Sequence, residues 1–132
     1  WRDILGLQVG WTRLDWLAYK DRLAKSPPHI YVMGWVADYP DPDGFLRVAM
    51  HQPYCLWRNE SYEQLLESAR RIADEAERLK FYRAADRLLI EEAAIIPLFH
   101  GQQHFLLKPW VRRYPTSPIR TSYWKDAIID PH

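Results

Sequence analysis

A short acidic loop, residues 36–44, is the part of the sequence whose residue types and spacing most clearly suggest chemistry. Asp38, Asp41 and Asp43 place three carboxylates in a turn-rich run that follows the aromatic Trp35. An aromatic wall beside a charged anchor is typical of a cleft that binds a small molecule. The residues alone leave a second interpretation equally open, in which Asp38 caps the following turn and Trp35 is part of the core.

Catalysis is weakly supported by the same residues. Paired carboxylates can act as general acid and base in hydrolysis, but this would need a second acid or base placed across from Asp38. Cys55 has no helix start or basic neighbour in sequence that would activate its thiol. The sequence contains neither a Gly-x-Ser-x-Gly elbow nor a Gly-rich phosphate loop. We therefore predict no catalytic residues, and keep a small hydrolase that uses the acidic loop as an alternative.

Metal and nucleic-acid sites are disfavoured by spacing and by charge. His100 and His104 lie in a segment predicted to be strand–Gly–strand, which separates them by more than about 10 Å at about 3.3 Å per residue. With one cysteine no multi-cysteine zinc site can form, and we predict neither a metal nor a cofactor. Lys and Arg total 18 against 17 Asp and Glu, a net charge of +1. A nucleic-acid surface normally needs a clustered basic excess, so no nucleic-acid partner is predicted.

The elements that lead into the acidic loop are predicted from hydrophobic periodicity and from helix breakers. Alternating apolar residues favour a strand over residues 5–10, and a helical stripe follows over residues 14–23. The Ser26-Pro27-Pro28 run should stop that helix. Residues 29–35 have the length and β-branched character of a buried strand. This strand–helix–strand order is typical of a parallel crossover, in which ligand contacts follow the second strand.

Helices are predicted for the middle of the chain. A short helix is expected over residues 45–50, and two capping boxes, Ser61 with Gln64 and Asp74 with Glu77, should open two more. Each of these longer helices has an apolar face: Tyr62, Leu65, Leu66, Ala69, Ile72 and Ala73 on the first, and Leu79, Tyr82, Ala85, Leu89, Ala93 and Ile96 on the second. Pro97 is expected to end the last helix, before two short strands at residues 98–100 and 104–107.

Size and composition indicate one globular domain, and we interpret its predicted strands and helices as an α/β fold with a mixed sheet and flanking helices. The 132 residues are 48% hydrophobic and 27% charged, which is typical of a folded domain. Residues 108–132 have no strong period and are expected to form an irregular tail in which Trp110, Tyr123 and Trp124 pack back on the body. No apolar run approaches the roughly 20 residues that span a bilayer. Because the sequence opens on Trp1 without a leader, residues 1–132 are expected to be a single-domain fragment of a larger protein.

Four motifs in the same order resemble the extracytoplasmic solute-binding proteins of the oligopeptide/dipeptide type, family 5 of the ABC-importer binding proteins. Residues 34–42, followed by Phe45-Leu46, are similar to the family's GW-ADYPDP--FL signature. Residues 57–62 are similar to its W-N--YD-L motif. Residues 78–98 are similar to its R---Y--AE-IL-----PIIPL motif. The segment before the signature resembles the family's preceding strand and helix, so the resemblance covers nearly the whole chain.

The resemblance implies a protein of two lobes that close on a ligand like a hinged trap. This chain would be its C-terminal part, containing much of the second lobe of a periplasmic-binding-protein-like type II fold. In peptide-binding relatives the aspartate of the ADY segment pairs with the α-ammonium of the peptide, a charge-assisted bond. Asp38 matches that aspartate, and Trp35, Val36, Ala37 and Tyr39 match the adjoining pocket segment.

The resemblance also implies a location and partners. The protein would capture a peptide or another small solute outside the cytoplasmic membrane, in the periplasm or as a surface lipoprotein, and deliver it to an ABC permease. It would contact the membrane only through a missing N-terminal anchor or the permease.

The resemblance does not fix the chemical class of the ligand. Val32 stands where some tripeptide-type relatives carry an arginine, which puts a salt bridge from this strand to a peptide carboxylate in doubt. Relatives with the same scaffold bind sugars, opines or metal chelates, so a non-peptide solute is an alternative. A protein-interaction module built on exposed aromatic residues is an alternative of another class.

Overall fold

The computed structural model describes residues 1–102, 104–117 and 124–131, and the chain divides into two compact units, Trp1–Met33 and Gly34–His132. The described residues are rich in helix and contain one small sheet, which is compatible with a fragment of an α/β protein. No helix among the described residues is both long enough and apolar enough to cross a membrane.

The first unit contains two helices, α1 (Arg2–Leu5) and α2 (Trp16–Lys25). The strand predicted over residues 5–10 is wrong, because Leu5 ends α1 and Gly6 closes the helix with a left-handed φ of 66°. The helix predicted over residues 14–23 is confirmed. Asp15 caps α2 by accepting hydrogen bonds from the amides of Leu17 and Ala18, both at 3.0 Å, and the helix ends just before the Ser-Pro-Pro run.

The run at residues 29–35 is not a strand. Ile30 and Val32 are 62% and 50% exposed, and the carbonyl of Val32 accepts a 2.9 Å hydrogen bond from the hydroxyl of Tyr19. β-Structure depends on a neighbouring strand for its hydrogen bonds and packing more than on intrinsic propensity. No strand among the described residues pairs with this run, so the predicted parallel crossover does not form.

The second unit is built on three packed helices, α3 (Asp43–Met50), α4 (Glu60–Arg70) and α5 (Glu75–Glu91). α4 and α5 make the most extensive contact, and α3 packs against both. Their apolar faces form one core, as the periodicity predicts. Its buried residues are Leu46, Met50, Cys55, Tyr62, Leu66, Ala69, Tyr82, Ala85 and Leu89.

The two predicted capping boxes have different outcomes. Asp74 caps α5 as predicted, since its Oδ1 accepts a 2.8 Å hydrogen bond from the amide of Glu77. The prediction of Ser61 as the cap of α4 is wrong, because Asn59 fills that role and its Oδ1 accepts from the amide of Tyr62 at 3.0 Å. Asn and Ser are equally good caps, so a motif alone does not choose between them. α4 ends at Arg70, which leaves the last two residues of its predicted apolar face beyond the helix.

The end of α5 and the sheet also differ from the prediction. The helix ends at Glu91, six residues before Pro97, and Ala93 follows with a left-handed φ of 51°. Residues 98–100 and 104–107 form no strand.

The sheet instead pairs β1 (Val111–Arg113) with β2 (Ile128–Ile129) in antiparallel orientation, so the strands observed in the described residues do not form a mixed sheet. Within the tail, Trp124 lies edge-on to Tyr114 with ring centroids 5.2 Å apart. Tyr123 is outside the described residues, and packing of the tail on the body stays a prediction.

Candidate functional site

The acidic loop runs directly into the first turn of α3 and is folded back on it. Asp43 and Gly44 are the first two residues of the helix. Ala37 is only 3% exposed and lies so close to Gly44 that a Cβ on Gly44 would be 3.1 Å from the Cβ of Ala37. The indole Nε1 of Trp35 donates a 2.9 Å hydrogen bond to the carbonyl of Gly44. Val36, between these two contacts, is exposed.

Asp38 lies at the exposed part of this loop. Its carboxylate is solvent-accessible and makes no hydrogen bond or ion pair within the part of the chain that the structure describes. The turn that follows is capped by Asp41, whose Oδ1 accepts a 3.0 Å hydrogen bond from the amide of Asp43. Capping of the turn therefore does not occupy Asp38, and the half-buried Trp35 is not a fully enclosed core residue.

Asp43 is held in a network with Tyr39 and Arg47. The Nε and Nη2 of Arg47 lie 2.9 Å and 2.6 Å from Oδ2 of Asp43, and the hydroxyl of Tyr39 donates to the same oxygen at 2.5 Å. Burial by itself would raise the pKa of Asp43, but the hydrogen bonds from Arg47 and Tyr39 outweigh it and hold this pKa below its usual value. The hydrogen bond to Asp43 raises the pKa of Tyr39, which keeps its hydroxyl protonated as a donor.

Asp41 is paired with a residue far along the chain. The Nη2 of Arg78, in the first turn of α5, lies 2.6 Å from Oδ2 of Asp41. The guanidinium carbon of Arg78 is 5.9 Å from the centroid of the Tyr82 ring. Beside this pair is an open cleft of about 240 Å³, lined by Tyr39, Asp41, Asp43, Arg70, Arg78 and Tyr82.

These pairings decide what the three carboxylates can do. Asp43 is neutralised by Arg47 and Asp41 by Arg78, so neither is available as the second member of an acid–base pair with Asp38. Asp38 alone is free to accept a hydrogen bond from a bound cation. No group of three side chains able to hold a metal ion occurs in residues 1–102, 104–117 and 124–131.

Sequence reasoning missed the partners of the acidic loop. Asp43 and Arg47 have the i, i+4 spacing of a helical ion pair, but the helix predicted over residues 45–50 begins after Asp43, whereas α3 begins at Asp43 itself. The pairing of Asp41 with Arg78 spans 37 positions and has no local signal, although the two residues fall in two of the recognised motifs.

The chain is similar along its whole length to several known binding proteins. No protein-family model matches the chain. All of the chain aligns with the "Periplasmic oligopeptide-binding protein OppA" of Salmonella typhimurium at 26% identity, and with the "Periplasmic murein peptide-binding protein MppA" of Escherichia coli at 28%. It aligns equally fully with the "Probable deoxycholate-binding periplasmic protein YgiS" of Escherichia coli at 29% identity.

In each case the chain spans 25% of the length of the relative. The three relatives are named as binding proteins, not as enzymes, in agreement with the prediction that the chain has no catalytic role. They confirm the resemblance that the four motifs indicate.

Proposed function

We propose that this chain, which is similar along its whole length to solute-binding proteins of the oligopeptide/dipeptide type, is part of an extracytoplasmic protein that captures a peptide for uptake by an ABC importer. In this proposal it supplies the C-terminal part of a two-lobed protein, with much of the second lobe of a type II periplasmic-binding-protein-like fold. Two relatives named for peptides and the one-quarter coverage support this assignment. The complete protein would dock on a permease and would need no cofactor or nucleic acid.

The state of Asp38 is the observation that carries the proposal. Its two acidic neighbours, Asp41 and Asp43, are each paired with an arginine, whereas the Asp38 carboxylate is exposed and unpaired within the described residues. A carboxylate in this state can accept a charge-assisted hydrogen bond from the α-ammonium of a peptide. Hinge closure of the second lobe would then remove water from this contact and strengthen it.

The residues around Asp38 divide into a wall and its support. Trp35, Val36 and Tyr39 keep part of their side-chain surface exposed and would form the wall of the pocket. Ala37 is buried against Gly44 and would hold in place the backbone that carries these wall residues. An apolar wall with one convergent charge matches the usual composition of small-ligand sites.

A non-peptide solute is the second candidate, because one relative is named as a probable deoxycholate-binding protein. Deoxycholate carries a carboxylate and no ammonium. Asp38 would repel such a group, so the exposed carboxylate favours a ligand with a free amine over a bile salt.

Calorimetry on the complete protein tests the ammonium role. The ligands are trialanine, N-acetyl-trialanine and deoxycholate. We expect Asp38→Asn to weaken binding of trialanine by about 1–3 kcal/mol, the magnitude of a hydrogen bond to a charged group, and to leave N-acetyl-trialanine nearly unchanged. The matched control is Asp86→Asn, since Asp86 is an exposed acid on α5. Equal affinity of the wild type for the two peptides would refute the ammonium contact, and preferential binding of deoxycholate would favour the second candidate.

A further inference from the structure

The acidic loop is held by contacts with the adjoining helix α3 and by one contact with α5, which is remote in sequence. Its local attachments are the hydrogen bond from Tyr39 to Asp43 and the one from Trp35, just before the loop, to Gly44, and both reach only the first turn of the adjoining α3. The hydrogen bond from Arg78 to Asp41 instead reaches α5, which packs against α3 and α4 in the core. Through this contact the loop is linked to an element that is remote in sequence.

The carboxylate of Asp41 uses its two oxygens for two different tasks. Oδ1 accepts from the amide of Asp43 and closes the turn at 3.0 Å, while Oδ2 receives Nη2 of Arg78 at 2.6 Å. The backbone amide of Asp41 also donates to the carbonyl of Tyr39 at 2.8 Å. A displacement of Asp41 would therefore move the backbone of Tyr39, and with it Asp38, the preceding residue.

The side chain of Arg78 is partly shielded from solvent and lies against an aromatic ring. This side chain is 31% exposed and that of Asp41 19%, so solvent screens the pair less than it would a pair on the open surface. The guanidinium lies near the face of Tyr82, and Nε is buried with no acceptor among the described residues. A buried donor without a partner is unfavourable. The conformation of Arg78 satisfies Asp41 and leaves one of its own donors unsatisfied.

We propose that Arg78 is a positioning residue for ligand binding, which holds the acidic loop through Asp41 so that the Asp38 carboxylate is presented to the ligand. The inference rests on the proposed function and extends it to a residue that does not touch the ligand. In physical terms, Arg78 pre-orders the loop and so reduces the ordering entropy that binding must offset.

Hydrogen–deuterium exchange on the complete protein without ligand tests the holding role. The variants are Arg78→Gln and Asp41→Asn, with Arg83→Gln as control, because Arg83 is an exposed arginine on the same helix. We expect exchange of the hydrogen-bonded amides of Asp41, Asp43 and Gly44 to accelerate about tenfold in the first two variants. Residues 62–69 in the core of α4 should stay unchanged. We call the contact between Arg78 and Asp41 the clamp. Unchanged exchange in the loop, or equal acceleration in the loop and in α4, would contradict a clamp that acts locally on the loop.

The affinity ratio of trialanine to N-acetyl-trialanine tests whether the clamp serves binding. A residue that only stabilised the fold would lower the midpoint of thermal unfolding without changing this ratio at a temperature where the protein is folded. We expect Arg78→Gln to reduce the ratio about threefold to tenfold. The double variant Asp41→Asn/Arg78→Gln should reduce it no further, since both changes break one contact. The ratio should stay at its wild-type value in Arg83→Gln.

The two measurements separate failure of the inference from failure of the proposed function. A wild-type ratio near one would overturn the ammonium role of Asp38 and, with it, any binding role of Arg78, while exchange would still report on the clamp. A large wild-type ratio that Arg78→Gln leaves unchanged would overturn the positioning role alone.

Discussion

The indole of Trp35 donates a 2.9 Å hydrogen bond to the carbonyl of Gly44, across the acidic loop. The bond joins the residue before the loop to the first turn of α3, and the intervening Ala37 is packed against the same turn. The two ends of the loop are thereby held together while Asp38 stays in solvent. Trp35 thus has a structural role that is separate from its proposed place in the ligand wall.

Replacement of Trp35 by Phe should destabilise the protein by about 1 kcal/mol, since a neutral hydrogen bond contributes about 0.5–1.5 kcal/mol net. Phe retains an aromatic ring but cannot donate to the Gly44 carbonyl. Urea denaturation followed by circular dichroism measures the free energy of unfolding. Trp11→Phe is the control, because Trp11 is 84% exposed and should tolerate the change. An equal loss in both variants would argue that ring size, and not the hydrogen bond, matters.

Gly44→Ala should destabilise the loop although Ala is the better helix former. The added Cβ would lie 3.1 Å from the Cβ of Ala37 and 3.4 Å from the carbonyl oxygen of Tyr39, and neither atom can rotate away. Overpacking of this kind costs about 1–3 kcal/mol, against a gain of about 0.5–1 kcal/mol in helix propensity.

The double variant Ala37→Gly/Gly44→Ala should recover part of the stability lost in Gly44→Ala, because it removes the opposing methyl group. Gly101→Ala is the control, since a Cβ there meets nothing within 4 Å. The measurement is the free energy of unfolding of five proteins: the wild type, the single variants Gly44→Ala, Ala37→Gly and Gly101→Ala, and the double variant. Suppose instead that the double variant were less stable than Gly44→Ala by the full cost that Ala37→Gly has in the wild type. In that case the contact between the Cβ atoms of residues 37 and 44 would not be the cause of the destabilisation in Gly44→Ala.

The helices of the second unit could be predicted because their signals are local. The apolar faces that contain Leu66 and Ala85 follow from spacing alone, and the cap at Asp74 follows from two residues three positions apart. The strand at residues 29–35 was predicted wrongly because strand formation depends on a partner that a single run does not reveal. The end of α5 depends on the left-handed conformation of Ala93, for which the sequence carries no signal.

The candidate site was only partly accessible to sequence reasoning. The five residues from Trp35 to Tyr39 could be named from the motif, and the motif also assigns Asp38 its proposed role. The sequence could not show which of the three carboxylates is unpaired, because the partner of Asp41 is Arg78, which is 37 positions away. The packing of α5 against α3 brings such residues together, and this is a property of the tertiary fold.

The cap of α4 provides a prediction that separates two neighbouring candidates. Asn59→Ala should destabilise the protein by about 1 kcal/mol, because it removes the acceptor for the amide of Tyr62. Ser61→Ala should change the stability much less, because Ser61 lies inside the first turn. Urea denaturation of the two variants makes the comparison. A larger loss for Ser61→Ala would restore the capping box that the sequence suggests. Asn59 also donates to Glu92, but an exposed hydrogen bond of this kind should add little.

Asp43 should make the stability of the protein depend on pH in the acid range. Burial acts to raise its pKa, but the hydrogen bonds from Arg47 and Tyr39 prevail, and the pKa in the folded state is lower than the ordinary 3.8. Folding therefore favours the ionised form. The contribution is complete above the unfolded pKa and is lost as the pH falls through the lower folded pKa.

The variant Asp43→Asn should therefore be less stable than the wild type at about pH 7, and the difference should shrink as the pH falls below about 4. The side chain of Asp43 is 8% exposed, so solvent screens its ion pair with Arg47 less than it would screen a pair on the surface. Urea denaturation across this pH range gives the two curves. Asp86→Asn is the matched control, because Asp86 is an exposed acid on α5. A difference between Asp43→Asn and the wild type that stayed constant with pH would show that Asp43 stabilises the fold through packing, and not through its charge.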